Sequence, residues 1–109
     1  MDDLINMVNK FRDERNWRKF HNEKDLAISI SIEAAELLEL FQWENADAVV
    51  KNKKERLEEE LADVLIYALM LADNLDFDVS DLIQKKIRKN AIKYPVEKSI
   101  GKSDKYTSL

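Results

Sequence analysis

One glycine, Gly101, and one proline, Pro95, are all that punctuate this 109-residue chain. Tight β-turns draw on residues that accept positive φ or fix φ near the turn value. A sandwich or barrel needs such a turn about every ten residues, so this chain lacks the material to close one. What the sequence can build is helices joined by short polar connections, and the reading is all-α. The length suits one domain over residues 1–109, with a helical core over 1–95 and an extended tail over 96–109. With 45% apolar and 37% charged residues the composition is globular. A formal net charge of −4 lacks the basic footprint of a nucleic-acid binder. Cysteine is absent, which removes disulfides, thiolate metal sites and cysteine nucleophiles together. No apolar run reaches the length of a membrane span, and Met1-Asp2-Asp3 is acidic where a secretory leader is basic. The expectation is a cytoplasmic protein with neither nucleic acid nor membrane as partner.

Four helices emerge from the periodicity. Leu4, Ile5, Val8 and Phe11 fall at helical spacing between about Asp2 and Arg15. The aromatic stretch from Asn16 to Asn22 breaks that pattern and reads as a turn. A second helix is predicted from Lys24 or Asp25 to Phe41 or Gln42, apolar around most of its circumference and therefore buried on several sides. Residues 44–52 read as a polar connection with room for a helical turn. A third helix spans about Lys53 to Asn74, and a fourth, with Ser80 as its N-cap, ends near Ala91 or Lys93. Tyr94-Pro95 stops it, because a residue before proline disfavours the α region.

Two strings carry the chemistry. Glu33-Ala34-Ala35-Glu36 lies in the second helix and Glu60-Leu61-Ala62-Asp63 in the third. A spacing of three puts both carboxylates of a string on one helical face. Glutamates at this spacing are most often solvated. Here Glu33 and Glu36 are flanked by Ile30, Ile32, Leu37 and Leu38, and Asp63 opens the apolar run Val64-Leu65-Ile66. Like charges crowded in such surroundings are costly unless protonated or bridged by a cation. Four carboxylates on two facing helices form an all-oxygen nest suited to a hard divalent ion such as Mg²⁺. A ferritin-like di-iron site is excluded, since it pairs its glutamates with E-x-x-H motifs and His21, the only histidine, lies outside both strings.

Trp17, Phe20 and His21 precede the second helix and Trp43 follows it. They fit either packing anchors or a stacking slot for a flat ring, and spacing does not choose between these. Lys85, Lys86, Arg88, Lys89 and Lys93 crowd the end of the fourth helix, where cations suit the helix dipole. With a metal and a polyphosphate in the nest, one or two of them, or Lys102 and Lys105 in the tail, would reach the phosphates.

Taken together, the E-x-x-E and E-x-x-D strings resemble the signature of the all-α MazG-like nucleoside triphosphate pyrophosphohydrolases. The likeness extends through FRDERNWRKFHNEKDL, ELLELFQW, EELADVLIYALMLAD and KYPVEKSIGKSDKYTSL, which are similar to the dCTP pyrophosphatase branch. The resemblance implies a four-helix, bundle-like fold with an extended C-terminal tail. It implies Mg²⁺-dependent hydrolysis of a deoxynucleoside triphosphate, dCTP or a modified dCTP, to the monophosphate and pyrophosphate, and a homotetramer built as a pair of dimers. On this resemblance Glu33, Glu36, Glu60 and Asp63 are the metal ligands, with Glu33 or Glu36 as the catalytic base. Trp17, Arg18, Lys19, Phe20, His21, Trp43 and Tyr67 match substrate-binding positions, as does Asn90; Lys86 is the helix-four cation expected at the phosphates. Some members carry a histidine in the first helix where this chain has Val8, a departure that bears on the base. Two rivals stand beside this reading: the same chemistry on dUTP or non-standard triphosphates, and a non-catalytic helical interaction module. The second helix, lacking a charged face apart from the proposed ligands, independently calls for at least a dimer.

Overall fold

Asparagine and aspartate side chains start three of the helices. The Asn22 side chain accepts from the Asp25 amide at 2.8 Å, Asn45 accepts from Asp47 at 2.9 Å and Ala48 at 3.3 Å, and Asp78 accepts from Asp81 at 2.9 Å. Each satisfies donors that a helix N-terminus leaves orphaned. A computed structural model describes residues 1–101. It comprises α1 (Asp2–Glu14), a 3-10 turn (Arg18–Phe20), α2 (Glu23–Glu39), α3 (Ala46–Asn52), α4 (Lys54–Asn74), α5 (Val79–Lys93) and α6 (Val96–Ser99). Among the described residues there is no strand, and no helix is long and apolar enough to cross a membrane.

The four long helices stand where the periodicity predicts them, and three details differ. The connection at 44–52 is mostly α3, because Asn45 caps it and Val49, 1% exposed, anchors it in the core. The N-cap of α5 is Asp78 rather than Ser80, whose hydroxyl instead accepts from Gln84 one turn on, at 2.9 Å. The tail is not extended from its start: Pro95 sits at the N-cap of α6, where its fixed φ and missing N–H cost nothing. The rest of the tail, with Lys102 and Lys105, lies outside the described residues.

By its contacts the chain falls into two compact units, Met1–Asp76 and Phe77–Leu109. In the first, α2 lies along α4, while α1 and α3 also pack on α4. Leu26, Leu40, Val49, Met70 and Ala72 form its buried core. The second unit contains α5 and α6, with Val79 buried and an Asp81–Lys85 pair one turn apart at 3.0 Å. The expectation that α2 is covered on several sides is not met within the first unit. Leu26 and Leu40 are enclosed, yet Ile32 is 52% and Leu38 69% exposed, because α4 covers only one side.

Where a glycine often ends a helix, this chain uses other residues. Asn16, Trp43 and Asp76 take φ of 54°, 65° and 55° after α1, α2 and α4. Asparagine and aspartate visit this region readily; for tryptophan it costs roughly 1–2 kcal/mol.

Candidate functional site

The packing of α2 on α4 brings acidic side chains face to face. One carboxylate oxygen each from Glu33, Glu36 and Glu60 lies within 4.8 Å of the other two. Among the described residues, buried oxygens of Glu33 (Oε2) and Glu60 (Oε2) have no hydrogen-bond partner. An acceptor left orphaned out of water costs free energy, and a cation is the partner that would satisfy both. The donor set is all oxygen and the residues fit a hard divalent ion. Burial, reinforced by the hydrogen bond and charge of Glu36, pushes the Glu33 carboxyl from 4.5 up to about 7. Glu60 is raised for the same first reason, with Glu36 and Asp63 adding to it. Asp63, one turn further along α4, is exposed and stands outside the three-residue group, although its charge acts on both.

Beyond the carboxylates runs a line of rings. Phe11 and Trp17 meet edge to face at 5.4 Å, Trp17 and His21 at 6.1 Å, and His21 and Tyr67 at 6.5 Å. Tyr67 joins this line to the acidic group: burial first, then the charges of Glu33, Asp63 and Glu36, raise its phenol pKa. Glu60, Asp63 and Tyr67 fall on one face of α4 through helical spacing. His21 is pushed the other way, by burial and then by the Arg12 and Arg18 guanidiniums, which favours the uncharged ring. Its Nδ1 is buried without a hydrogen-bond partner among the described residues. An apolar groove of about 230 Å³ lies beside the rings, lined by Met7, Val8, Phe11 and Ile66.

The remaining residues singled out in the sequence are dispersed. Arg18 is held by Asp13 and by Asp73, at 3.0 Å from the latter. Lys19 reaches over the exposed ring of Phe20, 5.1 Å from its centre. Trp43 is 93% exposed and, among the described residues, has no ring neighbour. Lys86, exposed, and Asn90, half-buried, lie on α5 in the second unit.

Sequence reasoning passed over one polar group entirely. Arg12 is 0% exposed. Its guanidinium donates to Asn74 Oδ1 at 2.9 Å and to the Met70 carbonyl at 3.4 Å, and lies 3.8 Å from Asp73. Asn74 in turn donates to the His21 carbonyl at 2.6 Å. The only sequence signal is a polar Asp73-Asn74 pair closing the apolar stretch of α4.

Residues 28–109 match the model of the MazG-like family. The chain belongs to the MazG-like family. Among relatives, it is 35% identical to dCTP pyrophosphatase 1 of Mus musculus, over the whole of this chain and 67% of that protein. The Homo sapiens protein of the same name is 32% identical over the same shares. A crystal structure of a pyrophosphatase from Archaeoglobus fulgidus superposes with a TM-score of 0.82 at 46% identity, covering 87% of this chain and 92% of that one. The MazG-like resemblance of the E-x-x-E and E-x-x-D strings and the all-α fold are thereby borne out.

Proposed function

We propose that the chain hydrolyses a deoxynucleoside triphosphate, dCTP or a modified dCTP, to the monophosphate and pyrophosphate with Mg²⁺. That it is a nucleoside triphosphate pyrophosphohydrolase follows from its MazG-like membership, its dCTP pyrophosphatase relatives and its pyrophosphatase structural neighbour. The observation that carries the finer reading is the group of three carboxylates within 4.8 Å, two of them with orphaned buried oxygens.

A triphosphate approaching this cluster uncompensated would be repelled. Glu33, Glu36, Glu60 and Asp63 would hold Mg²⁺, which when bound supplies positive charge for the phosphates and acidifies a water. The chain's own part is to place and to receive. One carboxylate not fully committed to the metal, Glu33 or Glu36, serves as the general base. It accepts the proton of the water that attacks the α-phosphorus, and no covalent intermediate is required. Trp17, His21 and Tyr67 give the base a flat apolar wall with an imidazole edge. Asn90 is carried as a nucleotide contact by the resemblance, and Lys86 as a cation expected at the phosphates. Trp43, wholly outside its own subunit's ring line, is suited to a nucleotide reached in an assembly.

The open side of α2 supports a homo-oligomer, at least a dimer and by resemblance a homotetramer. The setting proposed is cytoplasmic clearance of unwanted nucleotides. Val8 beside the apolar groove favours one second reading, the same hydrolysis on dUTP or a non-standard base. Pyrophosphate release from a panel of triphosphates, with and without Mg²⁺, tests all of this. Release from dCTP above the other nucleotides, and only with metal, is expected; no release from any would leave a helical interaction module.

A further inference from the structure

Arg12 places a full charge where no water reaches it. A buried ion pair is a poor source of stability compared with apolar packing, and among the described residues this one is imperfect: the nearest carboxylate oxygen is 3.8 Å away and Arg12 Nε has no acceptor. What the arrangement does have is direction. Arg12 acts on both ends of the Trp17–His21 turn, directly at Trp17 and through Asn74 at His21. Its backbone carbonyl accepts the Trp17 amide at 2.9 Å. Its guanidinium donates to Asn74 Oδ1, which settles which way the Asn74 amide faces and turns Nδ2 onto the His21 carbonyl at 2.6 Å.

That carbonyl sits at the joint between the 3-10 turn and α2. His21 has φ −111° and ψ 60°, and the next residue, Asn22, caps α2. The His21 carbonyl is therefore outside both helical ladders and depends on a side chain for its donor. Fixing it fixes the ring that stands between Trp17 and Tyr67.

We propose that Arg12 and Asn74 are positioning residues for substrate: a buried guanidinium orients an amide, and the amide holds the aromatic turn in the shape that receives the nucleobase. This rests on the reading of the turn as a base-binding wall. The pair touches neither the carboxylates nor the phosphates, so it acts on recognition of the base and leaves the hydrolytic step alone.

Asn74→Asp is the sharpest test. An aspartate keeps the shape and pairs with Arg12 at least as well, but offers the His21 carbonyl an oxygen in place of a donor. Arg12→Lys is the second variant; it keeps the charge and loses the fork that reaches Asn74 and Met70 together. For Asn74→Asp, KM for dCTP should rise 3- to 10-fold with kcat within twofold, and for Arg12→Lys the rise should be smaller. Inhibition by pyrophosphate, which has no base, should be unchanged. Val49→Ala, a core truncation in α3, serves as the control for mere destabilisation and should leave KM alone. Trp17 emission, read without nucleotide in a Trp43→Phe background, should shift in Asn74→Asp. An unchanged KM, or a KM that moves equally in Val49→Ala, overturns the inference while the hydrolase reading stands. If the wild-type protein releases no pyrophosphate, the hydrolase reading falls, and unchanged Trp17 emission then overturns the positioning role as well.

Discussion

Replacing Glu33 by glutamine should stabilise the metal-free protein, and by an amount that depends on pH. A carboxyl raised from 4.5 to about 7 binds its proton more tightly folded than unfolded. Its favourable contribution is fully present below pH 4.5 and is lost as pH climbs to 7. The interval between those values, at about 1.36 kcal/mol per pH unit, sets a ceiling of about 3–4 kcal/mol. The side chain is only half-buried and solvent screens part of the charge, so roughly 1–2 kcal/mol is the working figure. For a domain of this size that corresponds to roughly 5–15 °C in Tm. The assay is thermal melting in EDTA, followed by circular dichroism, from pH 5 to pH 8. The Tm of Glu33→Gln minus that of wild type should be near zero at pH 5 and reach the stated range at pH 8. Saturating Mg²⁺ should close the gap by stabilising the wild type alone. A Tm difference independent of pH, or a variant less stable than wild type at pH 8, would refute the electrostatic account of the cluster.

Glu36→Gln and Asp63→Asn should each lower turnover at limiting Mg²⁺ by about 100-fold or more, the upper end of what loss of a metal's outer partner costs; near-wild-type rates would remove that residue from the ligand set. Trp43→Ala should leave Tm almost unchanged, since the side chain is 93% exposed, and raise KM for nucleotide by an amount set by one stack, roughly 1–3 kcal/mol. Leu26→Ala, at a position 0% exposed, should cost roughly 2–5 kcal/mol in urea unfolding, and less than about 1 would mean that α2 is not seated on α4 as described. Light scattering at micromolar concentration should give a multiple of 12.8 kDa, with a Tm that rises with protein concentration; a monomeric active enzyme would show that the open side of α2 is tolerated alone.

The long helices were legible because their patterns are strong. The scarcity of glycine and proline removed the competing architectures, and Pro95 and the apolar spacing set most boundaries. The gathering of Glu33, Glu36 and Glu60 was legible too, since Glu33 and Glu36 interrupt the apolar middle of α2, whereas Asp63 stands outside the group. Short capping contacts escaped. Asp78 and Ser80 are equally good caps by composition, and only the φ and ψ of the incoming chain choose Asp78. Arg12 escaped for another reason. An arginine on a charged amphipathic helix is ordinarily solvated, and its burial depends on Met70, Asp73 and Asn74, 58 or more residues away in sequence. Exposure of Trp43 could not be read either, because a tryptophan after a helix suits a core and an interface alike.

Carrying Glu60, Asp63 and Tyr67 on a single uninterrupted helix has a bearing on how such a chain can change over time. Removing or adding one residue in an α-helix rotates everything beyond it by about 100°. An insertion between Glu60 and Tyr67 would swing Tyr67, and with it the contact to His21, away from the carboxylates in a single step, leaving no intermediate that works half as well. This stretch of α4 therefore admits exchange of side chains but not of length.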